Sequence, residues 1–127
     1  MSVAHFILYV PDPRASAEFW TRALGYAPRL DVPGMTEFDL GGGGVLGLMP
    51  EAGIRQLLGD ALPDPAAAGG VPRAELYLLV DDVAAAHARA CAAGARELSP
   101  PAARDWGHVA AYALTPDGHV LAFAREA

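Results

Sequence analysis

The chain has 127 residues, the length of one domain, and 53% of them are apolar, enough for a core and too many for a disordered segment. The formal charge is -6, and all nine basic residues are arginines scattered between Arg14 and Arg125. No clustered cationic surface exists for nucleic acid, no lysine is present for a Schiff base, and the single Cys91 excludes an intrachain disulfide.

The first predicted element is the apolar run from His5 to Val10. It ends at Pro11, too short for a signal peptide or a membrane span, so a cytoplasmic chain without membrane attachment is expected. Asp12-Pro13 then reads as a helix start, with a capping carboxylate and Pro at the first helical position. Ala15, Phe19, Trp20, Ala23 and Leu24 form the apolar stripe of that helix, and Gly25 stops it. A hairpin follows, with Phe38-Asp39-Leu40 turning through Gly41-Gly42-Gly43-Gly44 into Val45-Leu46-Gly47-Leu48-Met49. The glycine run opens no helix and lacks the P-loop pattern, so it reads as a turn and not as a phosphate cradle.

Residues 50–73 form a long connection punctuated by prolines and by Gly69-Gly70. Ile54, Leu57 and Leu58 predict one short amphipathic helix inside it, and the segment is either a linker or a lid. Glu75-Leu76-Tyr77-Leu78-Leu79-Val80 then repeats the first strand at an offset of 70 residues. Asp81-Asp82-Val83 repeats the helix start, Val83, Ala86, His87, Ala90 and Cys91 form the buried stripe, and Gly94 repeats the stop. The chain closes with a second hairpin, Tyr112-Ala113-Leu114 turning through Thr115-Pro116-Asp117-Gly118-His119 into Val120–Ala124. The repeat predicts an α+β fold of two βαβββ modules, with module 1 at about 1–49, a linker at about 50–73 and module 2 at about 74–127. The expected sheet is curved and mostly antiparallel, with helices on its outer face and a cavity inside.

Strand alternation assigns the faces. Phe6, Leu8 and Val10, with Leu76, Leu78 and Val80, are expected to meet the helices. His5, Ile7 and Tyr9, with Glu75, Tyr77 and Leu79, take the concave side, together with Met49. Pairing Phe38 with Gly47 and Tyr112 with Ala122 across the two turns adds both aromatics to that side. Arg104-Asp105-Trp106-Gly107-His108 offers a flat ring and a planar cation at the start of a strand. The expected small-molecule lining is therefore Tyr9, Phe38, Met49, Tyr77, Trp106, His108 and Tyr112. His87 and Cys91 read as packing residues, and His119 as a residue at the solvent edge.

These residues resemble the vicinal oxygen chelate superfamily, which includes glyoxalase I, bleomycin-resistance proteins, fosfomycin-resistance enzymes and extradiol dioxygenases. The resemblance runs over nearly the whole chain. It rests on the strand His5–Val10, on Phe19-Trp20 with Leu24-Gly25-Tyr26, and on Asp105–His108 leading to Thr115–Phe123 with its Pro-Asp-Gly turn. It implies paired modules, commonly in a homodimer. It also implies that metal ligands, where used, would fall at His5, Gly47, Glu75 and Ala122. Gly47 and Ala122 have no ligand atom, so His5 and Glu75 would hold at most a weakly bound divalent metal, and the expected cofactor is otherwise none. Three readings stay open for His5 and Glu75: a hydrogen-bonded remnant, a two-ligand metal site of a glyoxalase-like lyase, or a metal-free acid–base pair. The leading expectation is a small-molecule binder.

Overall fold

The structure is a computed structural model and describes residues 3–127. Its strands fall into two four-stranded sheets. The first contains β1 (His5–Val10), β2 (Leu30–Val32), β3 (Met35–Asp39) and β4 (Val45–Pro50), in the order β1-β4-β3-β2. The second contains β5 (Glu75–Leu79), β6 (Arg96–Ala103), β7 (His108–Leu114) and β8 (Val120–Glu126), in the order β5-β8-β7-β6. In each sheet the first strand pairs in parallel with the last, and the other pairs are antiparallel. This is the duplicated βαβββ plan, with α1 (Pro13–Leu24) and α3 (Val83–Ala92) as the two helices.

By internal contacts the chain divides into two units. One runs to Thr21 and adds Tyr26–Gly69; the other joins Arg22–Gly25 to Gly70–Ala127. The last turn of α1 thus belongs to the second unit, where Arg22 donates to the Ala92 carbonyl at 3.0 Å and Arg89 Nε to the Ala23 carbonyl at 3.1 Å.

Local chemistry explains the helix limits. Asp12 Oδ1 accepts from the backbone N–H of Arg14 and Ala15 at 3.1 and 3.2 Å, and Asp82 Oδ1 accepts from Ala85 N–H at 3.0 Å. Gly25 and Gly94 carry positive φ of 86° and 123°, which a Cβ would oppose. In the connection, α2 (Glu51–Leu58) is the expected short helix; it buries Ile54 but leaves Leu57 and Leu58 exposed. Two 3-10 turns, Gly59–Ala61 and Pro65–Ala68, follow it.

The core faces follow the expected alternation with three corrections. Leu8, Val10, Leu46, Leu48, Phe19, Trp20 and Ala23 are buried in the first part of the chain, and Ala111, Ala113, Leu121, Phe123, Val83, Ala86 and Ala90 later. Phe6, expected in the core, is exposed, and on α1 Ser16 is buried where Ala15 was expected. The third correction concerns Phe38. It pairs with Leu46, not with Gly47, and is fully buried on the core face. The reason is the turn. Leu40 N–H donates to Gly44 O at 2.8 Å around a 3-10 turn at Gly41–Gly43, which sets Asp39 opposite Val45. That register is one residue from the expected one, and a one-residue slip moves every side chain to the other face. Phe38 leaves the ligand-lining set, and Glu37 takes the position opposite Gly47.

Candidate functional site

In the first unit the face away from the core is set by register. His5 aligns with Val45, Ile7 with Gly47 and Tyr9 with Met49; across β3, Glu37 aligns with Gly47 and Asp39 with Val45. His5, Ile7, Tyr9 and Met49 therefore lie on this face as expected, but its chemistry centres on Glu37. Arg29 donates from Nε and Nη2 to Glu37 Oε1 at 3.0 and 2.8 Å, while His5 Nδ1 stands 3.5 Å from Oε2. Arg29 also reaches Asp39 Oδ1 at 3.3 Å, and the Tyr26 hydroxyl donates to the Asp39 carbonyl. The Glu37 side chain is only 12% exposed, so both of its oxygens are engaged in a largely covered network. Burial first, and the Asp39 charge second, push the Tyr26 phenol above its ordinary 10.0. The sequence reading missed Glu37. A signal was available: Phe38 sits between two carboxylates, so placing Phe38 inward puts both of them outward.

Gly47 is not an open gap. A Cβ there would lie 3.0 Å from Ile7 Cγ1 and 3.2 Å from Met35 Sδ. Those two side chains fill the space that a ligating side chain would need.

In the second unit the corresponding row across the sheet is Tyr77, Ala122, Tyr112 and Ser99. Glu75 aligns with Val120, Leu79 with Ala124, Ala124 with Ala110, and His108 with Glu126. Tyr77 and His108 thus start two rows apart on the same face. Ala110, Ala122 and Ala124 are fully buried between and beneath them, and these small side chains let the rings meet. Tyr77 Oη lies 2.6 Å from His108 Nδ1, and the rings stack at 5.8 Å between centroids and 26° between planes. Trp106 Nε1–H donates to the same Tyr77 oxygen at 3.0 Å, with its indole 52% exposed. Beside them the Arg104 guanidinium lies 5.3 Å above the Tyr112 ring. It is oriented by donating to Ser99 Oγ at 2.8 Å, Ala110 O at 2.9 Å and Pro100 O at 3.2 Å. Burial first, then the charges of Glu75 and Tyr77, push the Tyr112 phenol up against the lowering effect of Arg104. Tyr77, Trp106, His108 and Tyr112 are therefore one neighbourhood, and Glu75 shares their face.

His87 is buried on α3, as expected of a packing residue. Its Nε2 is 2.8 Å from Glu97 Oε2, and its Nδ1 has no partner among the described residues. Cys91 Sγ is 3.8 Å from that Nε2 and half-buried; burial, then Glu97, push the thiol up and away from a reactive thiolate. His119 ends the second hairpin turn, where its backbone N–H donates to Thr115 Oγ1 at 2.9 Å.

Neither unit by itself offers the donor set of a tightly bound catalytic metal. Within each unit, among the described residues, no group of three or more His, Cys, Asp or Glu side chains converges to hold one. Gly47 is packed against, Ala122 is fully buried without a donor atom, and the Glu37 oxygens face Arg29 and His5.

The glyoxalase/bleomycin resistance protein/dioxygenase superfamily model matches residues 2–123. Among solved structures, a glyoxalase-related enzyme from Fulvimarina pelagi is similar at 28% identity and TM-score 0.82, over 98% of this chain and 88% of that one. A glyoxalase/bleomycin resistance protein/dioxygenase from Nocardioides is similar at 26% identity and TM-score 0.79, over 99% and 83%. A protein from Agrobacterium tumefaciens solved by NMR is similar at 30% identity and TM-score 0.73, over 100% and 99%. No curated protein matches the chain.

Proposed function

This chain belongs to the glyoxalase/bleomycin resistance protein/dioxygenase superfamily, and from that premise we propose that it binds a modest-sized, partly aromatic or apolar small molecule without a tight catalytic metal. The observation that carries this reading is the row Tyr77–Ala122–Tyr112 with Trp106 and His108 around it. Aromatic surface with a few fixed hydrogen-bonding groups is the composition of a small-molecule site. Tyr9 and Met49 add apolar surface on the corresponding face of the first unit. The chain works as a homodimer in the cytoplasm in this reading. Supporting the dimer, β1 and β5 are edge strands of their own sheets and leave Ile7, Tyr9 and Leu79 exposed. Among the described residues no helix is long and apolar enough to cross a membrane.

The rival is a divalent-metal lyase of glyoxalase type using His5 and Glu75. What favours it is that each donor stands on the face of its own sheet away from the core, His5 aligned with Val45 and Glu75 with Val120. Metal content decides between them. Untagged protein, purified without chelators, is offered Zn, Ni, Mn and Fe(II) alongside His5→Ala and Glu75→Ala. The binder reading expects no stoichiometric metal, and a rise in melting midpoint with some members of an aromatic compound set. Stoichiometric metal lost in both variants would overturn it in favour of the lyase.

A further inference from the structure

The chain of hydrogen bonds through Tyr77 has a direction that follows from donor chemistry. Trp106 Nε1–H can only donate, and it donates to the Tyr77 oxygen at 3.0 Å. The Tyr77 proton must then go elsewhere, and its other partner is His108 Nδ1 at 2.6 Å. If Nδ1 carried a proton, Trp106 and His108 would both donate to one oxygen, and the phenol proton would have no acceptor among the described residues. With the neutral imidazole accepting at Nδ1 and carrying its proton on Nε2, the Trp106 N–H and the Tyr77 O–H both have acceptors within the fold, and this is the arrangement on which the proposed relay rests. Trp106 sets that direction without touching His108.

The surroundings define what such a chain could act on. By register, Glu75 and Glu126 lie on this face, and their two carboxylates outnumber the one guanidinium of Arg104, which keeps its charge while its N–H groups are held by the neutral acceptors Ser99, Pro100 and Ala110. An anionic ligand would meet net negative charge, so an uncharged one is favoured. The exposed Trp106 indole and the stacked Tyr77 and His108 rings suit a flat molecule. After Trp106 has taken one lone pair of the phenolic oxygen, a second remains to accept a proton.

We propose that Tyr77 and His108 form a proton relay for an uncharged, planar acid, a conjugated ring bearing an acidic O–H or N–H, with Trp106 as the positioning residue that fixes its direction. The ligand's O–H or N–H bond breaks as its proton moves to the Tyr77 oxygen. The former Tyr77 proton moves to His108 Nδ1. The ligand becomes an anion, Tyr77 stays neutral, and His108 becomes the imidazolium facing the new charge. No oxidant, reductant or metal enters the balance. The ligand half of this inference rests on the small-molecule reading above; the tautomer half does not.

The test has two arms on the full chain. Long-range nitrogen–proton NMR of the free protein reads the His108 tautomer. The expected result is Nε2–H in the wild type, and a mixture of tautomers in Tyr77→Phe. Trp106→Phe, at a half-exposed position, should weaken the preference with the fold intact. A wild-type Nδ1–H tautomer, or an unchanged tautomer in Tyr77→Phe, would overturn the relay. The second arm adds 4-nitrophenol at a pH where the free probe is half ionised. Binding is read from the Trp106 indole resonance, and ionisation from the absorbance of the bound probe. The expected result is a bound probe at least about tenfold enriched in its ionised form, equivalent to about 1.4 kcal/mol, with the enrichment absent in Tyr77→Phe and His108→Gln. A bound but neutral probe would sink the proton transfer. No binding with the Nε2–H tautomer in place would overturn the planar acid as ligand, and with it the relay's proposed use.

Discussion

The two units place the same row of three strands to different use. In the first, the row is Ile7–Gly47–Glu37; in the second it is Tyr77–Ala122–Tyr112. The first builds a charged network, in which a covered carboxylate is divided between Arg29 and His5 and the central glycine is filled by Ile7 and Met35. The second builds a neutral one, in which alanines leave room for rings that hydrogen-bond above them. A duplicated backbone thus fixes where side chains stand and not what chemistry they carry. On the charged face both Glu37 oxygens are already engaged by Arg29 and His5. The aromatic face keeps an exposed indole beside the stacked Tyr77 and His108 rings, so it is the face with flat surface to offer a ligand.

The largest effect should separate Phe38 from Tyr112, which the sequence places on the same face of the two hairpins. Phe38→Ala empties a fully buried site and should cost about 3–5 kcal/mol in denaturant unfolding. Tyr112→Ala, on the half-exposed face, should cost at most about 2 kcal/mol. Equal losses would break the register assignment. Next comes Gly47→Glu, which crowds Ile7 and Met35 and should cost about 1–3 kcal/mol without recruiting metal. Stoichiometric zinc on that variant, measured by elemental analysis, would mean that the space can open.

A smaller effect is expected from Glu37→Gln, which should lower the melting midpoint by a few degrees and shrink that difference in high salt, because the pairing with Arg29 is charge-assisted. Ala122→Ser, in the other unit, should show no salt-dependent loss. The smallest effect is on the alkaline limb of stability. Tyr26 and Tyr112 hold their protons above their ordinary value of 10.0 in the folded chain, so between the unfolded and folded values the folded state binds more protons. Stability is then fully present below about pH 10 and declines as pH rises through the folded values. Tyr26→Phe and Tyr112→Phe should each flatten that decline in a pH series of chemical denaturation, and an unchanged slope in both would contradict the partial desolvation of the two phenols.

Much of the molecule was legible without coordinates. Asp12-Pro13 and Asp82-Val83 announce helix starts through side-chain oxygens that can reach backbone N–H groups a few residues on. The glycines after each helix, and the apolar runs one repeat apart, predict two βαβββ units because capping and alternation are local chemistry. The second hairpin was also readable, since Thr115-Pro116-Asp117-Gly118 is a turn of definite geometry, closed by Thr115 N–H on His119 O at 2.7 Å.

The first hairpin was not. Four consecutive glycines admit more than one closure, and the short strand Met35–Asp39 puts apolar residues on both parities, so nothing local chooses between two registers one residue apart. Tertiary packing chose: the large Phe38 ring gains more from burial than its neighbours, and turning it inward turned Glu37 out toward Arg29 and His5. The Trp106–Tyr77–His108 chain is likewise a tertiary product. Tyr77 lies 29 residues from Trp106 and 31 from His108 in sequence, and only the sheet register, with alanines where a larger side chain would intervene, brings their polar atoms within hydrogen-bonding distance. Sequence alone determined the duplicated strand and helix plan, because capping and alternation depend on neighbours along the chain; which face of the first hairpin turned inward, and which polar groups meet, was decided by contacts between strands.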